Sequence, residues 1–404
     1  MEMPPEGNIL DTTKFSFAGD FDLQVMEILT RVRLTRTEVE NLRYLLDDVM
    51  GALTYVWPGC QVYPFGSIVT GLGIKTSDID CYVQIPTPYL NRTGIPVNAA
   101  RNVFRKYPRK FTGVIAISSA KVPIVKFFHI PTNFNCDINF SNMSGVKNSK
   151  LIAFLLHMDS RALHLAIIIK YWSKVYNFTG TNLMPNYALT MMIIFYLQVE
   201  CVLPSVAELQ RHEKYSLVEN WNTAFNDNIV YVTDNAKSLY ELLGGFFNYY
   251  KNFNFEHHVI SPFLGYPIKK LLFAEPKTIP NEYQLYKENM FNKVCKALRL
   301  DSSICIQDPF DHSRNCSVAV LGKLFLKICG HIDVAACMYN ELESDDFLRT
   351  LLTVNPQIES EVVSPTSNFK NRNKVMKRRN NKQARQSGRQ NFTSWYNNNR
   401  RTKI

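Results

Sequence analysis

Between residues 61 and 140 the hydrophobic period of this chain changes, and that change limits the folds open to it more than any other feature. Five short runs rich in β-branched and aromatic residues, CQVYPF, DIDCYVQI, GVIAISS, VPIVKFFHI and NCDINF, follow one another between Gly, Pro, Asn and Ser clusters. On both sides the spacing is helical. Leu23, Met26, Ile28 and Leu29, then Val39, Leu42, Leu45 and Leu46, predict two amphipathic helices within residues 20–56. Leu151, Phe154 and Leu155, then Leu163, Ile167 and Ile168, predict long helices over 150–199, with others at 235–251, 290–298 and 319–329. The expected fold class is α+β: a mixed-sheet domain over 59–149, a mainly helical central domain over 150–345, and N-terminal helices over 20–58 packing on the latter. After residue 356 the apolar rhythm stops and Asn, Ser, Lys and Arg take over, which predicts a disordered basic tail over 356–404.

Charge follows the same division. From Lys370 onward there are twelve Lys or Arg and no acid, one more than the net +11 of the whole chain, so residues 1–369 carry −1. The folded body is near neutral and the tail is a polycation suited to an anionic partner. Nine cysteines without a C-x-x-C pair suit a reducing compartment, and the opening MEMPPEGNILD has neither a basic n-region nor an apolar stretch, so cytosol or nucleus is expected. The apolar stretch 188–203 is short for a membrane span, contains Glu200 and ends at Pro204; a buried helix is expected there, and no membrane partner.

The chemistry concentrates in FGSIVTGLGIKTSDIDCYVQI, residues 65–85. Residues two apart in a strand share a face, so Asp78 and Asp80 point together while Ile79 and Cys81 point into a core. Paired carboxylates repel unless a cation lies between them, and Mg2+ prefers such oxygen ligands, with Mn2+ as a substitute. An exposed acidic turn would look the same in isolation. The preceding pair changes the balance: Gly66 lets backbone N–H groups approach a phosphate and Ser67 adds a hydroxyl. Asp137, between Cys136 and Ile138, repeats the alternation. If its strand lies beside the first, three carboxylates surround one site, as two-metal phosphoryl transfer requires.

With G-S, D-x-D and a distant third Asp in order, the chain resembles the DNA polymerase β-like nucleotidyltransferases. LLGGFFNYYKNFNF at 242–255 and IQDPFDHSRN at 306–315 narrow the resemblance to the terminal uridylyltransferases and cytoplasmic-type poly(A) polymerases, over about residues 20–340. It implies a nucleotidyltransferase catalytic domain, a poly(A)-polymerase-associated region at 240–330, and a monomeric enzyme adding ribonucleotides from UTP or ATP to an RNA 3′ end without a template. Asp78 and Asp80 would bind both metals, and Asp137 the catalytic metal while helping to deprotonate the 3′-hydroxyl. Ser67 would hold triphosphate oxygens. Asn142 and Asn148 match positions near the ribose, although Asn148 could instead cap a helix starting near Ser149.

Lys170 and Lys174, four apart on one helix face, match triphosphate ligands; otherwise they would be a solvated pair. Tyr187 matches the aromatic on which the incoming base stacks, preceded by Asn186 where the family usually has a phosphate-binding serine. Asp308, Asp311 and Arg314 fall where the base is read. Uridylyltransferases often carry histidine at the last of these positions. Arginine is a pure donor that suits the acceptor oxygens of uracil better than the amino group of adenine, unless it serves RNA phosphate instead. His312 is expected at the surface. The tail, with Phe392, Trp395 and Tyr396, is assigned to RNA affinity ahead of nuclear localisation. An inactive RNA-binding scaffold and a second-messenger synthase are the competing readings; the intact acid triad opposes the first and IQDPFDHSRN the second.

Overall fold

The computed structural model describes residues 11–90, 94–120 and 122–354. The basic tail therefore lies outside the described residues.

Five strands, β1 (Gln61–Phe65), β2 (Ile79–Gln84), β3 (Phe111–Ile117), β4 (Ile124–His129) and β5 (Phe134–Asn139), form one sheet in the order β1-β2-β5-β4-β3. Each grows from one of the five β-rich runs. β2 and β5 pair in parallel and the other neighbours antiparallel, so this is a mixed sheet. Alternation sorts its faces. Ile79, Cys81, Val83, Val125, Phe127, Cys136 and Ile138 are buried in one core with the helices α2 (Arg36–Thr54) and α3 (Pro96–Phe104). Asp80, Lys126 and Asp137 occupy the alternate positions of the same strands.

The second core is helical. α1 (Phe21–Val32), α4 (Ser144–Met158), α5 (Ser160–Val175) and α6 (Asn186–Val199) contribute to it. So do the short α7 (Val206–Leu209), α8 (Leu239–Lys251), α9 (Gln284–Phe291), α10 (Gly322–Glu341) and α11 (Ser344–Leu352). α5 and α6 are apolar nearly all round and buried along most of their length, as expected of central helices. No single helix among the described residues is long and apolar enough to cross a membrane.

The two N-terminal helices do not act as the single unit expected for residues 20–58. Phe21, Val25, Ile28 and Val32 of α1 enter the helical core, whereas Leu42, Leu45, Val49 and Leu53 of α2 enter the sheet core. Between them Thr35 and Glu38 form a capping box that starts α2. Leu34 N donates to Gly73 O at 3.4 Å, Lys75 N to Val32 O at 3.1 Å, and Arg33 pairs with Ile74 as an isolated bridge. The joint between the helices is thereby strapped to the loop that leads into β2.

Other boundaries also move. α4 begins at Ser144, so Asn148 sits within the helix rather than capping it. The helix expected over 290–298 ends at Phe291: Val294 N and Cys295 N both turn back to Asn289 O, with Lys293 at φ 60°. α3 and α11 were not expected.

Candidate active site

The sheet assembles the acidic cluster by register. Phe65 on β1, Asp80 on β2, Asp137 on β5 and Lys126 on β4 are successive cross-strand partners. The condition left open by the sequence is met: the third acid stands directly beside the D-x-D strand. Asp78 comes just before β2 rather than within it, and is exposed. Burial, followed by the charges of Asp137 and Asp78, pushes the Asp80 carboxyl up to about 7. Asp137 is also raised, chiefly by burial, although Lys126 at 2.6 Å draws it back down.

At the end of β1, Gly66 turns the chain with φ +77°, and its N–H donates to Ser149 Oγ on α4 at 2.7 Å. A Cβ there would lie 2.3 Å from Asp80 Oδ2, so this backbone lies directly against the carboxylate. The loop beyond it forms one side of a cleft of about 720 Å³ whose other walls come from α4, α5 and α6. Gly66, Ser67, Asp78, Asp80, Asn148, Lys170, Lys174, Asn186, Tyr187 and Arg314 all line it. Asp137, Asn142, Asp308 and Asp311 do not. Asn142 Oδ1 accepts from Ser144 N at 3.0 Å at the start of α4, and Asp311 Oδ1 accepts from Ser313 N and Oγ at 3.1 and 2.6 Å. The sequence reading missed Ser149, Ser77 and Thr181. Serine and threonine are too common for their spacing to reveal them.

Lys170 is not a solvated residue. It is buried, donating to Leu72 O at 2.6 Å and Ser77 Oγ at 3.4 Å. Burial and neighbouring Lys174 lower it to about 7, against the pull of Asp80. An anion entering the cleft would meet two amino groups on adjacent turns of α5.

Asp308, 1% exposed, is a hub beneath the far wall. Its Oδ2 accepts from Tyr187 OH at 3.0 Å, Asn148 Nδ2 at 3.4 Å and Arg314 Nη1 at 3.5 Å; its Oδ1 accepts from Phe310 N and Asp311 N at 3.0 and 3.1 Å. A carboxylate so engaged acts through the groups it holds. Arg314 lies over the Tyr187 ring, its Cζ 5.5 Å from the centroid. Replacing Asp308 by Ala leaves Tyr187, Asn148 and Arg314 without their common acceptor. Urea unfolding should then show a loss of about 1–3 kcal/mol, and Asp308→Asn, which keeps an acceptor oxygen, a smaller one. His312, expected at the surface, is buried with its ring 4.1 Å from that of Phe263, and burial lowers it to about 3. The polar letters around it in IQDPFDHSRN conceal that nest.

Among the described residues no group of three or more His, Cys, Asp or Glu is placed so that it could hold a metal ion by itself. The row offers hard oxygen ligands beside an open cleft, and the charged form of Asp80, disfavoured by burial and by both neighbouring acids, would be favoured by a cation there. Mg2+ is commonly held this way, by one or two carboxylates and completed by substrate phosphates.

Residues 21–156 match the central palm domain described as poly(A) RNA polymerase, mitochondrial-like, and residues 238–314 match the Cid1 family poly A polymerase domain, together just over half the chain. The chain belongs to the Cid1-type family of terminal uridylyltransferases and poly(A) polymerases. The Speckle targeted PIP5K1A-regulated poly(A) polymerase of Danio rerio is 28% identical over 283 residues, covering 59% of this chain and 36% of that protein. The Terminal uridylyltransferase cid1 of Schizosaccharomyces pombe is 23% identical over 333 residues, covering 78% and 77%. The chain spans less than half of the speckle-targeted relatives from Danio rerio and Xenopus tropicalis. Among solved structures, mtPAP in complex with UTP superposes with a TM-score of 0.71 at 21% identity, covering 87% of this chain and 77% of that one. A Cid1 poly(U) polymerase bound to MgATP gives 0.68 at 20%, covering 83% and 99%. These likenesses establish the family fold.

Proposed function

We propose that this family member is a template-independent RNA 3′-terminal ribonucleotidyltransferase that transfers uridylate from UTP. The observation that carries the reading is the cross-strand placement of Asp80 against Asp137, beside a cleft lined by Gly66, Ser67, Lys170 and Lys174. Asp78, Asp80 and Asp137 would hold Mg2+, or Mn2+ in its place, which would neutralise charge on the attacking and leaving oxygens. Ser67, Lys170 and Lys174 bind the triphosphate, and Asn148 contacts the ribose. Asp137, with Oδ2 held by Lys126, keeps Oδ1 to take the proton of the RNA 3′-hydroxyl. The 3′-oxygen forms a bond to the α-phosphorus as the bond to pyrophosphate breaks. Catalysis is then mostly positioning and charge neutralisation.

Arg314 and Tyr187 support UTP. The guanidinium, drawn toward Asp308 and over the Tyr187 ring, offers only donors to a base on that wall. Uracil meets them with carbonyl oxygens, whereas adenine presents an amino group. Extension of a labelled single-stranded RNA with each NTP in turn tests the reading. UTP should be preferred over ATP by about tenfold or more in kcat/KM, a margin that Arg314→Gln should narrow. A ladder fed by ATP would move the chain to the poly(A) branch, and no ladder with any nucleotide would overturn the enzyme reading.

A further inference from the structure

The row on the cleft side of the sheet continues past the carboxylates to Lys126. In the antiparallel register of β4 and β5 it stands opposite Asp137, and its Nζ lies 2.6 Å from Asp137 Oδ2. Its charge also bears on Asp78 and Asp80. The ammonium is the only side-chain cation in an ion pair with any of the three acids among the described residues; Lys170, whose charge also bears on Asp80, donates to Leu72 O and Ser77 Oγ and pairs with none of them. An ordinary surface ion pair contributes little. This one differs because its acid, with 18% of its side chain accessible, belongs to a cluster whose members repel one another.

We propose that Lys126 is a positioning residue for nucleotidyl transfer: a built-in counter-ion that fixes which oxygen of Asp137 faces the RNA 3′-hydroxyl and competes with divalent cations until nucleotide arrives. The inference rests on the nucleotidyltransferase reading given above. A lysine ammonium is a compact point charge, so it secures one carboxylate oxygen and leaves the other free. The same charge repels an incoming divalent ion. Its removal therefore has two effects of opposite sign, tighter ion binding and slower transfer, and an incidental ion pair would produce neither.

Lys126→Met keeps the aliphatic stem and deletes the charge. In the full-length chain without nucleotide, Mn2+ titration followed by the electron paramagnetic resonance signal of the free ion should show about 3–10-fold tighter binding than in the unaltered protein. In RNA extension at saturating Mg2+, kcat should fall by about 10–100-fold while KM for UTP and for RNA stays within about twofold. Lys126→Arg should return Mn2+ affinity to its original value and recover only part of kcat, because a guanidinium grips a carboxylate in a different geometry. Should Lys126→Met not fold, Lys126→Gln carries the same comparison. Unaltered Mn2+ affinity in the folded Met or Gln variant overturns the proposal, as does unaltered kcat. A parent chain that binds Mn2+ but extends no RNA sinks the functional reading, while the Mn2+ arm still judges the competition.

Discussion

Asp80→Asn should silence RNA extension while leaving the protein folded, with a melting temperature in metal-free buffer equal to or above that of the parent. The substitution keeps size and shape but deletes one of three carboxylate charges, the one that burial and both neighbours already disfavour. If Asp80 is the metal ligand proposed above, its loss should lower kcat by at least about 10³-fold. The same loss relieves like-charge repulsion in the resting protein, the exchange between stability and activity expected of the proposed catalytic cluster. Single-turnover extension beside a calorimetric melt checks both halves. Normal extension by Asp80→Asn would remove Asp80 from the chemistry, and an unfolded variant would give it a structural task instead.

Gly66→Ala should be nearly as damaging, by another route. Its φ of +77° is a region where a side chain costs about 1–2 kcal/mol. The new Cβ would also sit 2.3 Å from Asp80 Oδ2, so the carboxylate must swing away from its place in the row. Stability and extension should both fall. Asp80→Ala removes the obstructing atom, and the double variant should therefore be more stable than the sum of the two single changes predicts. Such non-additivity is expected of directly touching groups. Strict additivity in urea unfolding would show that the two residues do not press on each other.

The five strands were legible because each run alternates and ends in turn-forming residues, and Asp78, Asp80 and Asp137 stood out against apolar neighbours. Strand order was not legible. Only the parallel pairing of β2 with β5 makes Asp80 and Asp137 neighbours, and no local pattern specifies a pairing across more than fifty residues. Lys126 was overlooked inside an apolar run, yet the same period of two places it on the face opposite Val125 and Phe127. α3 was hidden because nine residues opened by Pro96 resemble a loop. Arg314 was anticipated; its anchoring through buried Asp308 was not, since a side chain's burial beneath a wall depends on elements remote in sequence.

The strap between the first two helices and the loop entering β2 has a bearing on how such a chain can be rearranged. Residues 59–149 contain the acids and the Gly-Ser turn, but the backbone partners of Gly73 and Lys75 come from Leu34 and Val32, upstream of that segment. Ser149 Oγ, at its far border, is what receives the Gly66 N–H. A recombination event that moved the sheet alone into another protein would leave the loop entering β2 untethered at the front. A working exchange between relatives has to begin before α1 and run on through α4, so the heritable unit is larger than the sheet that bears the three acids.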